Sequence, residues 1–89
     1  MKQSTKTAKK HILVIDDEPE VCSLLNDFLG SRGFKVDIAH NGEEALSLIK
    51  QKIPDLITLD VVMPVMGGFE FLENLRAQPA YISIPVIML

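Results

Sequence analysis

The sequence predicts an α/β domain with a parallel β-sheet and helices on both faces of the sheet. Apolar segments of strand length alternate with amphipathic helical patterns from residue 11 to residue 89, and this alternation is typical of parallel sheets. Parallel neighbours need crossover connections of about a dozen residues or more, and such crossovers are almost always right-handed. A chain of 89 residues can hold one such domain.

The first strand and helix are predicted from a run of apolar residues and from two residues that are typical of helix ends. Residues 12–15 form a continuous apolar run, as expected of a strand that is buried on both faces. Pro19 suits the first turn of the following helix, where no backbone donor is needed, and Gly33 is a good helix stop. The predicted buried stripe of this helix consists of Val21, Leu24, Leu25, Phe28 and Leu29.

The second strand and helix carry a clear boundary signal. Polar and apolar residues alternate at residues 35–39, as in a strand that is exposed on one face. Asn41 is predicted to cap the next helix, and Glu43 and Glu44 suit its first turn because of the helix dipole. The predicted buried stripe consists of Ala45, Leu48 and Ile49.

Two further strands and one helix complete the pattern β-α-β-α-β-α-β. We predict strands at residues 56–60 and 85–89 and a helix at residues 69–77. The first, third and fourth strands are the most apolar and are expected to be central in a complete fold, with the second strand at an edge. This pattern predicts the flavodoxin-like strand order, 2-1-3-4 for the strands present.

Three aspartates follow the ends of neighbouring strands in this topology. Asp16 and Asp17 end the first strand and Asp60 ends the third, at the point of reversal in strand order where ligands bind in such sheets. One aspartate alone would most simply be a cap or turn residue, but three converging carboxylates repel one another unless a cation is present. Mg²⁺ suits the site, because it typically binds one or two carboxylates together with a phosphate.

Asp60 is the predicted reactive residue. A carboxylate oxygen can attack phosphorus and form an acyl phosphate, a reaction that needs mainly positioning and cancellation of charge. We predict that the metal bridges Asp60 and the phosphoryl oxygens. Asp17 would hold the metal together with Asp16, which would act directly or through a water molecule.

Charge and composition argue against several classes of function. Residues 1–10 carry four lysines and no acid, and we expect a disordered basic tail there. Residues 11–89 carry five basic and twelve acidic side chains, a net charge of −7, so this body is not expected to bind nucleic acid. Cys22 is the only cysteine, in keeping with a reducing cytoplasm. No apolar run approaches the ~20 residues of a membrane span.

Three segments together carry a resemblance to a known family. Residues 15–19 (Ile-Asp-Asp-Glu-Pro) resemble the acidic strand-one signature of response-regulator receiver domains. Residues 41–46 (Asn-Gly-Glu-Glu-Ala-Leu) resemble the start of their second helix, and residues 60–68 (Asp-Val-Val-Met-Pro-Val-Met-Gly-Gly) resemble their phosphoacceptor loop. The resemblance covers residues 11–89, and the three motifs at this spacing are highly specific.

The resemblance implies a role in two-component signal transduction. Asp60 would take a phosphoryl group from a phosphohistidine on a sensor histidine kinase or a phosphotransfer protein. The three aspartates and the backbone carbonyl of Val62 would form the magnesium site, and the backbone amides of Val61 and Val62 would lie near the phosphoryl oxygens. The implied supporting residues of the phosphoryl loop are Val61, Met63, Pro64 and Gly68.

The sequence departs from the family pattern in two respects. Gly67 stands where the family commonly has Asp or Asn, and two consecutive glycines are expected to loosen the loop. Receivers also continue after the fourth strand with a Ser or Thr, a fifth strand ending in Lys and two more helices, which this sequence lacks after Leu89. We therefore expect weaker stabilisation of charge at Asp60 and impaired switching. We also expect that these residues either self-associate through an exposed fourth strand or fold poorly as a monomer.

Three other functional classes are weighed against this one. A receiver fragment that is not phosphorylated would serve as an interaction module for a kinase or another receiver. A magnesium-dependent phosphatase would also use an Asp nucleophile, but such enzymes generally place a second acid two positions away at the end of strand one. A flavin site would need hydroxyl or glycine residues after strand one. The sequence therefore predicts a signalling module and not an enzyme.

Overall fold

The computed structural model describes residues 9–63 and 65–89, and these residues form a four-stranded parallel sheet with helices on both faces. The strand order is β2-β1-β3-β4, which confirms the predicted order. The tail predicted at residues 1–10 falls mostly outside the described residues. The elements are β1 (His11–Ile15), α1 (Pro19–Ser31), β2 (Lys35–Ala39), α2 (Gly42–Gln51), β3 (Leu56–Leu59), α3 (Gly68–Arg76), a short 3-10 helix (Pro79–Tyr81) and β4 (Val86–Met88).

Two apolar clusters lie on opposite faces of the sheet. Side chains alternate between the faces along each strand, so β1 contributes to both clusters and is buried along its whole length. The larger cluster joins the sheet to α2 and α3, and the smaller one joins it to α1. The largest fully buried members of the larger cluster are Phe71, Leu13, Ile15, Ile49, Ile57, Leu59 and Leu75.

The boundaries of α1 and α2 follow the residues that predicted them. The Glu44 N–H donates to the Asn41 side chain at 2.8 Å, and the Glu44 carboxylate accepts from the His40 N–H at 2.6 Å. This arrangement is similar to a capping box, except that the Glu44 carboxylate accepts from the residue before the cap, and it satisfies two backbone donors at the start of α2. Gly33 has a positive φ of 93° just after α1, a conformation that glycine adopts without steric cost.

The buried stripe predicted for α1 is wrong at two positions. Leu24 is 69% exposed and Phe28 is 52% exposed. The helix packs over β1 and β2, so only part of its apolar surface meets the sheet among the described residues. The guanidinium of Arg32 lies 4.7 Å from the centre of the Phe28 ring and covers part of that ring. The 3-10 helix was also not predicted.

A polar contact at the amino end of the sheet ties three strands together. His11 Nε2 lies 2.6 Å from the Asp37 carboxylate on β2, although the His11 side chain is almost fully buried. The His11 N–H donates to the Asp55 carboxylate at 2.7 Å, just before β3. This end of the sheet therefore has its own polar network, on the edge opposite to the three aspartates.

One arginine fixes the connection between α3 and β4. The Arg76 guanidinium donates to the backbone carbonyls of Tyr81 (3.1 Å), Ile82 (2.9 Å) and Ile84 (2.9 Å). A planar guanidinium can satisfy several acceptors at once, and these carbonyls belong to the segment that leads into β4.

Within the described ranges, no helix is both long and apolar enough to cross a membrane.

Replacing Arg76 with Ala should lower the free energy of unfolding by about 2 kcal/mol or more. Each hydrogen bond from a charged donor contributes ~1.5–3 kcal/mol, and an exposed carbonyl such as that of Ile82 regains water when the donor is lost. Urea unfolding followed by circular dichroism measures this loss. The exposed Lys52→Ala change is the control and should stay within about 0.5 kcal/mol of the wild type. An Arg76→Ala variant as stable as the wild type would show that the three contacts contribute nothing.

Candidate functional site

Asp16, Asp17 and Asp60 meet at the carboxyl edge of the sheet. Ile15 on β1 pairs with Leu59 on β3, and the Asp60 N–H donates to the Ile15 carbonyl at 2.9 Å. The three aspartates that follow these strands therefore face one crevice. One carboxylate oxygen from each residue lies within 4.8 Å of the other two, so the structure brings together the residues that the sequence singled out.

The Asp16 carboxylate is buried and oriented by its own turn. It is 6% exposed, and its Oδ1 accepts a hydrogen bond from the Glu18 N–H at 2.9 Å. The Asp16 N–H in turn donates to the Ala39 carbonyl at the end of β2 at 3.0 Å. Asp17 is half-buried, so the two adjacent carboxylates differ in their access to solvent.

Asp60 is half-buried and is held from one side. Its Oδ1 accepts a hydrogen bond from the Val62 N–H at 3.2 Å. Among residues 9–63 and 65–89 no other side-chain hydrogen bond reaches this carboxylate, so its second oxygen is available to a reagent. Val62 itself is 80% exposed and Val61 is half-buried.

The site concentrates negative charge without a cationic side chain beside it. In the described part of the chain, ion pairs form between His11 and Asp37 and between His40 and Glu44, and neither pair includes a site aspartate. The nearby Cys22 thiol donates to the Asp16 carbonyl at 3.3 Å. Burial first, and then the charges of Asp16 and Asp17, raise the pKa of this thiol. The negative charges of the site therefore disfavour the thiolate form of Cys22.

The donor set and its spacing fit a hard divalent cation. Carboxylate oxygens are the ligands that Mg²⁺ prefers, and this ion usually keeps some of its water molecules. Three carboxylates within 4.8 Å of one another are close enough for one cation to neutralise them. The partial exposure of Asp17 and Asp60 leaves one side of the site open to solvent.

The loop between β3 and α3 is anchored by packing. Met63 is 9% exposed and belongs to the larger apolar cluster, against which Met66 also packs. The Gly68 N–H donates to the Val61 carbonyl at 3.0 Å. Pro64, which was predicted to support this loop, lies outside the described residues.

Two features of this loop were missed by sequence reasoning. Val65 has a positive φ of 70°, which is a genuine outlier for a β-branched residue. A Cβ at Gly68 would lie 2.6 Å from the Asp60 carbonyl oxygen, so the glycine permits a close approach between α3 and the end of β3. The expectation that both glycines loosen the loop is therefore wrong for Gly68, which is buried and tightly packed.

The fold and the site define a class of protein: a parallel α/β domain with an acidic cluster at its topological switch point. The family model described as "Response regulator receiver domain" matches residues 12–89. The chain therefore belongs to the response regulator receiver domain family.

Individual relatives agree with this assignment. The chain is 42% identical over 82 residues to an uncharacterized 14.6 kDa protein of Leptolyngbya boryana, covering 92% of this chain and 63% of that protein. It is 46% identical over 78 residues to the transcriptional regulatory protein CpxR of Escherichia coli, covering 88% of this chain and 32% of CpxR. The chain thus spans less than two thirds of either relative.

A solved structure shares the same backbone arrangement. The N-terminal domain of a response regulator receiver protein from Methanoculleus marisnigri superimposes with a TM-score of 0.87 at 37% identity. The match covers 91% of this chain and 66% of that one. The receiver fold predicted from the sequence is confirmed for the strands and helices described above.

Replacing Gly68 with Ala should destabilise the domain by about 2 kcal/mol, as expected for overpacking. The new Cβ would lie 2.6 Å from the Asp60 carbonyl oxygen and 2.8 Å from the Val61 Cα, and these backbone atoms cannot rotate away. Thermal unfolding measures the effect. In the matched Gly67→Ala change the new Cβ would lie 3.9 Å from the nearest atom outside its chain neighbours. This change should cost less, about 1 kcal/mol or below, because Gly67 caps α3 and alanine is a poorer N-cap residue than glycine. Equal stability of the two variants would contradict the predicted steric conflict.

Replacing Val65 with Asn should stabilise the domain by about 1 kcal/mol, because the left-handed conformation costs L-residues ~1–2 kcal/mol and Asn tolerates it better. Denaturant midpoints at constant slope report the gain. Val62→Asn is the control, since Val62 is similarly exposed but does not have a positive φ. If Val65→Asn proves less stable than the wild type, backbone strain is not what limits this loop.

Proposed function

We propose that this receiver domain accepts a phosphoryl group on Asp60, as part of a two-component phosphorelay. The observation that carries the proposal is the convergence of three carboxylates within 4.8 Å of one another at the strand-order reversal. Structural ion pairs would include a basic partner, and no described Lys or Arg pairs with these groups. Uncompensated charge of this kind is characteristic of a site that binds a cation and a phosphoryl group.

The nucleophile is the Asp60 carboxylate oxygen that does not accept the Val62 N–H. This oxygen attacks the phosphorus of a phosphohistidine and forms a P–O bond. The P–N bond breaks, and its electron pair goes to the imidazole nitrogen, which takes up a proton. The Val62 N–H at 3.2 Å from Oδ1 orients the carboxylate for this step, and in-line positioning supplies most of the catalysis in such reactions.

Asp16, Asp17, Asp60 and the backbone carbonyl of Val62 are the residues that would hold Mg²⁺. The bound ion would neutralise the carboxylates and the phosphoryl oxygens, so that two negative groups can approach each other. The Glu18 N–H keeps the Asp16 carboxylate oriented towards the crevice. The backbone amides of Val61 and Val62 would lie near the phosphoryl oxygens.

The proposed partner is a sensor histidine kinase or a phosphotransfer protein in the cytoplasm. The net charge of −7 over residues 11–89 supports a protein partner and argues against direct contact with nucleic acid by this domain. A free buried thiol at Cys22 is in keeping with a reducing compartment. We propose a signalling module with a single phosphorylation event per domain, not an enzyme that turns over a free substrate.

Phosphorylation is tested with Mg²⁺ and a small acyl phosphate donor, with detection by intact-protein mass spectrometry. The wild type should gain one acid-stable, hydroxylamine-labile phosphoryl group. Asp60→Asn should gain none, because the amide is not a nucleophile. Asp27→Asn, an equivalent change at an exposed position of α1, should be phosphorylated like the wild type.

Other outcomes point to the competing functions. A folded wild type that gains no phosphoryl group under these conditions would support the interaction module instead. Sustained hydrolysis of a phosphate ester, lost in Asp60→Asn, would support the phosphatase. A chelator that abolishes labelling of the wild type would agree with the proposed role of Mg²⁺, and labelling that is independent of metal would contradict it.

We further propose that the 89-residue polypeptide self-associates through β4. Within the described residues, β4 pairs only with β3, and Ile87 on this strand is 50% exposed. Exposed apolar strands at a sheet edge favour pairing with another chain. Sedimentation should therefore show a mass that rises with protein concentration.

The Ile87→Lys variant should shift this equilibrium towards the monomer, because a charged side chain opposes edge pairing. Ile53→Lys is the matched control, since Ile53 is 51% exposed and lies outside the strands. A wild type that stays monomeric at high concentration would overturn the proposed self-association, as would equal behaviour of the two lysine variants.

A further inference from the structure

Gly42 at the start of α2 touches Met66 in the loop that follows Asp60. A Cβ at Gly42 would lie 2.7 Å from Met66 Sδ, 2.8 Å from its Cγ and 2.9 Å from its Cβ. Gly42 is buried although it lies at a helix end. The space that a side chain would occupy at this position is therefore filled by the side chain of Met66.

The helix side of this contact is rigid. The Asn41 side chain accepts from the Glu44 N–H and the Glu44 side chain accepts from the His40 N–H, which fixes the first turn of α2. Ala45 in the same turn is fully buried. A helix start that is held by two capping hydrogen bonds and by core packing resists displacement. The position of Gly42 is thus set by the sheet and the core, independently of the loop.

The loop side of the contact follows directly on the strained residue. Val65, with its φ of 70°, immediately precedes Met66, and the buried Met63 anchors the loop on the other side. Strained backbone persists only where its surroundings determine it. Met66 packs on Gly42 and on the larger apolar cluster. This packing holds the backbone that follows Val65, on the side away from Asp60.

We propose that Gly42 and Met66 are positioning residues for the phosphoacceptor site. Their contact fixes the loop whose Val62 N–H orients Asp60, although neither residue contacts the reacting atoms. This inference rests on the proposed phosphorylation of Asp60 and extends it to the junction between β2 and α2. A side chain at residue 42 would push on Met66 at its Cβ, one bond from the loop backbone, so that rotation of the thioether alone could not relieve the conflict.

The test compares five variants of the whole 89-residue chain: Gly42→Ala, Met66→Ala, their combination, Met66→Leu and Gly30→Ala. Gly30→Ala is the matched control, because it makes the same chemical change in a helix where the new Cβ has no contact within 4 Å apart from its chain neighbours and the backbone of its own helix. Three quantities are measured: the rate of phosphorylation by a small acyl phosphate, the Mg²⁺ dissociation constant by calorimetry, and the amide chemical shifts of Val61 and Val62.

Gly42→Ala should slow phosphorylation about tenfold or more, since displacement of a reacting group by about 1 Å can cost up to 10²-fold. It should also shift the amide resonances of Val61 and Val62. Met66→Ala should slow phosphorylation by releasing the loop, and Met66→Leu should retain most of the rate. The double variant should be less impaired than the product of the single effects predicts, because two of the three Met66 atoms that the new methyl group meets, Sδ and Cγ, have been removed.

Gly30→Ala should match the wild type in all three measurements. Unchanged rates and unchanged Val61 and Val62 shifts in Gly42→Ala would overturn the inference, as would strictly multiplicative effects in the double variant. If Gly42→Ala fails to fold, Met66→Ala against Met66→Leu decides the question. If the wild type is not phosphorylated at all, the proposed function fails, while the amide shifts still test the contact.

Discussion

The parallel pairing of β1 with β3 is the constraint on which the site depends. Ile15 stands opposite Leu59, and one backbone hydrogen bond of 2.9 Å joins Asp60 to Ile15. A slip of one residue would move every side chain of β3 to the other face of the sheet and would carry Asp60 away from Asp16. The apolar alternation of β3, with Ile57 and Leu59 fully buried, makes such a slip costly, so hydrophobic burial sets the geometry of the charged site.

The crevice combines features that do not stabilise the fold by themselves. Three carboxylates converge there, a β-branched residue has a left-handed backbone conformation, and exposed apolar side chains such as Val62 lie beside them. Sites that perform chemistry commonly carry such local costs, which the rest of the structure must offset. In this domain the offset comes from the buried strands and from Phe71 and Leu75, which attach α3 to the sheet.

Sequence reasoning predicted the elements and the convergence of the aspartates because both follow from local patterns. The apolar run before Asp16 and the cap at Asn41 are signals that neighbouring residues carry. The exposure of Leu24, the positive φ of Val65 and the close approach of Gly68 to Asp60 depend on where distant segments pack. Periodicity gives the direction of a side chain on its helix, but it does not show whether another element covers it.

The charge of this site and the positions of its groups can be changed separately by substitution. Removing a carboxylate alters both the binding of a cation and the orientation of its neighbours, so the effects of aspartate substitutions combine the two. Gly42 and Gly68 carry no charge, and each matters through the absence of a side chain. The space beside Gly42 is occupied by Met66, and the space beside Gly68 is occupied by the Asp60 carbonyl. Substitutions at these glycines therefore change geometry while the net charge of the crevice stays constant. A site whose chemistry needs little beyond positioning and neutralisation of charge can be dissected along these two lines.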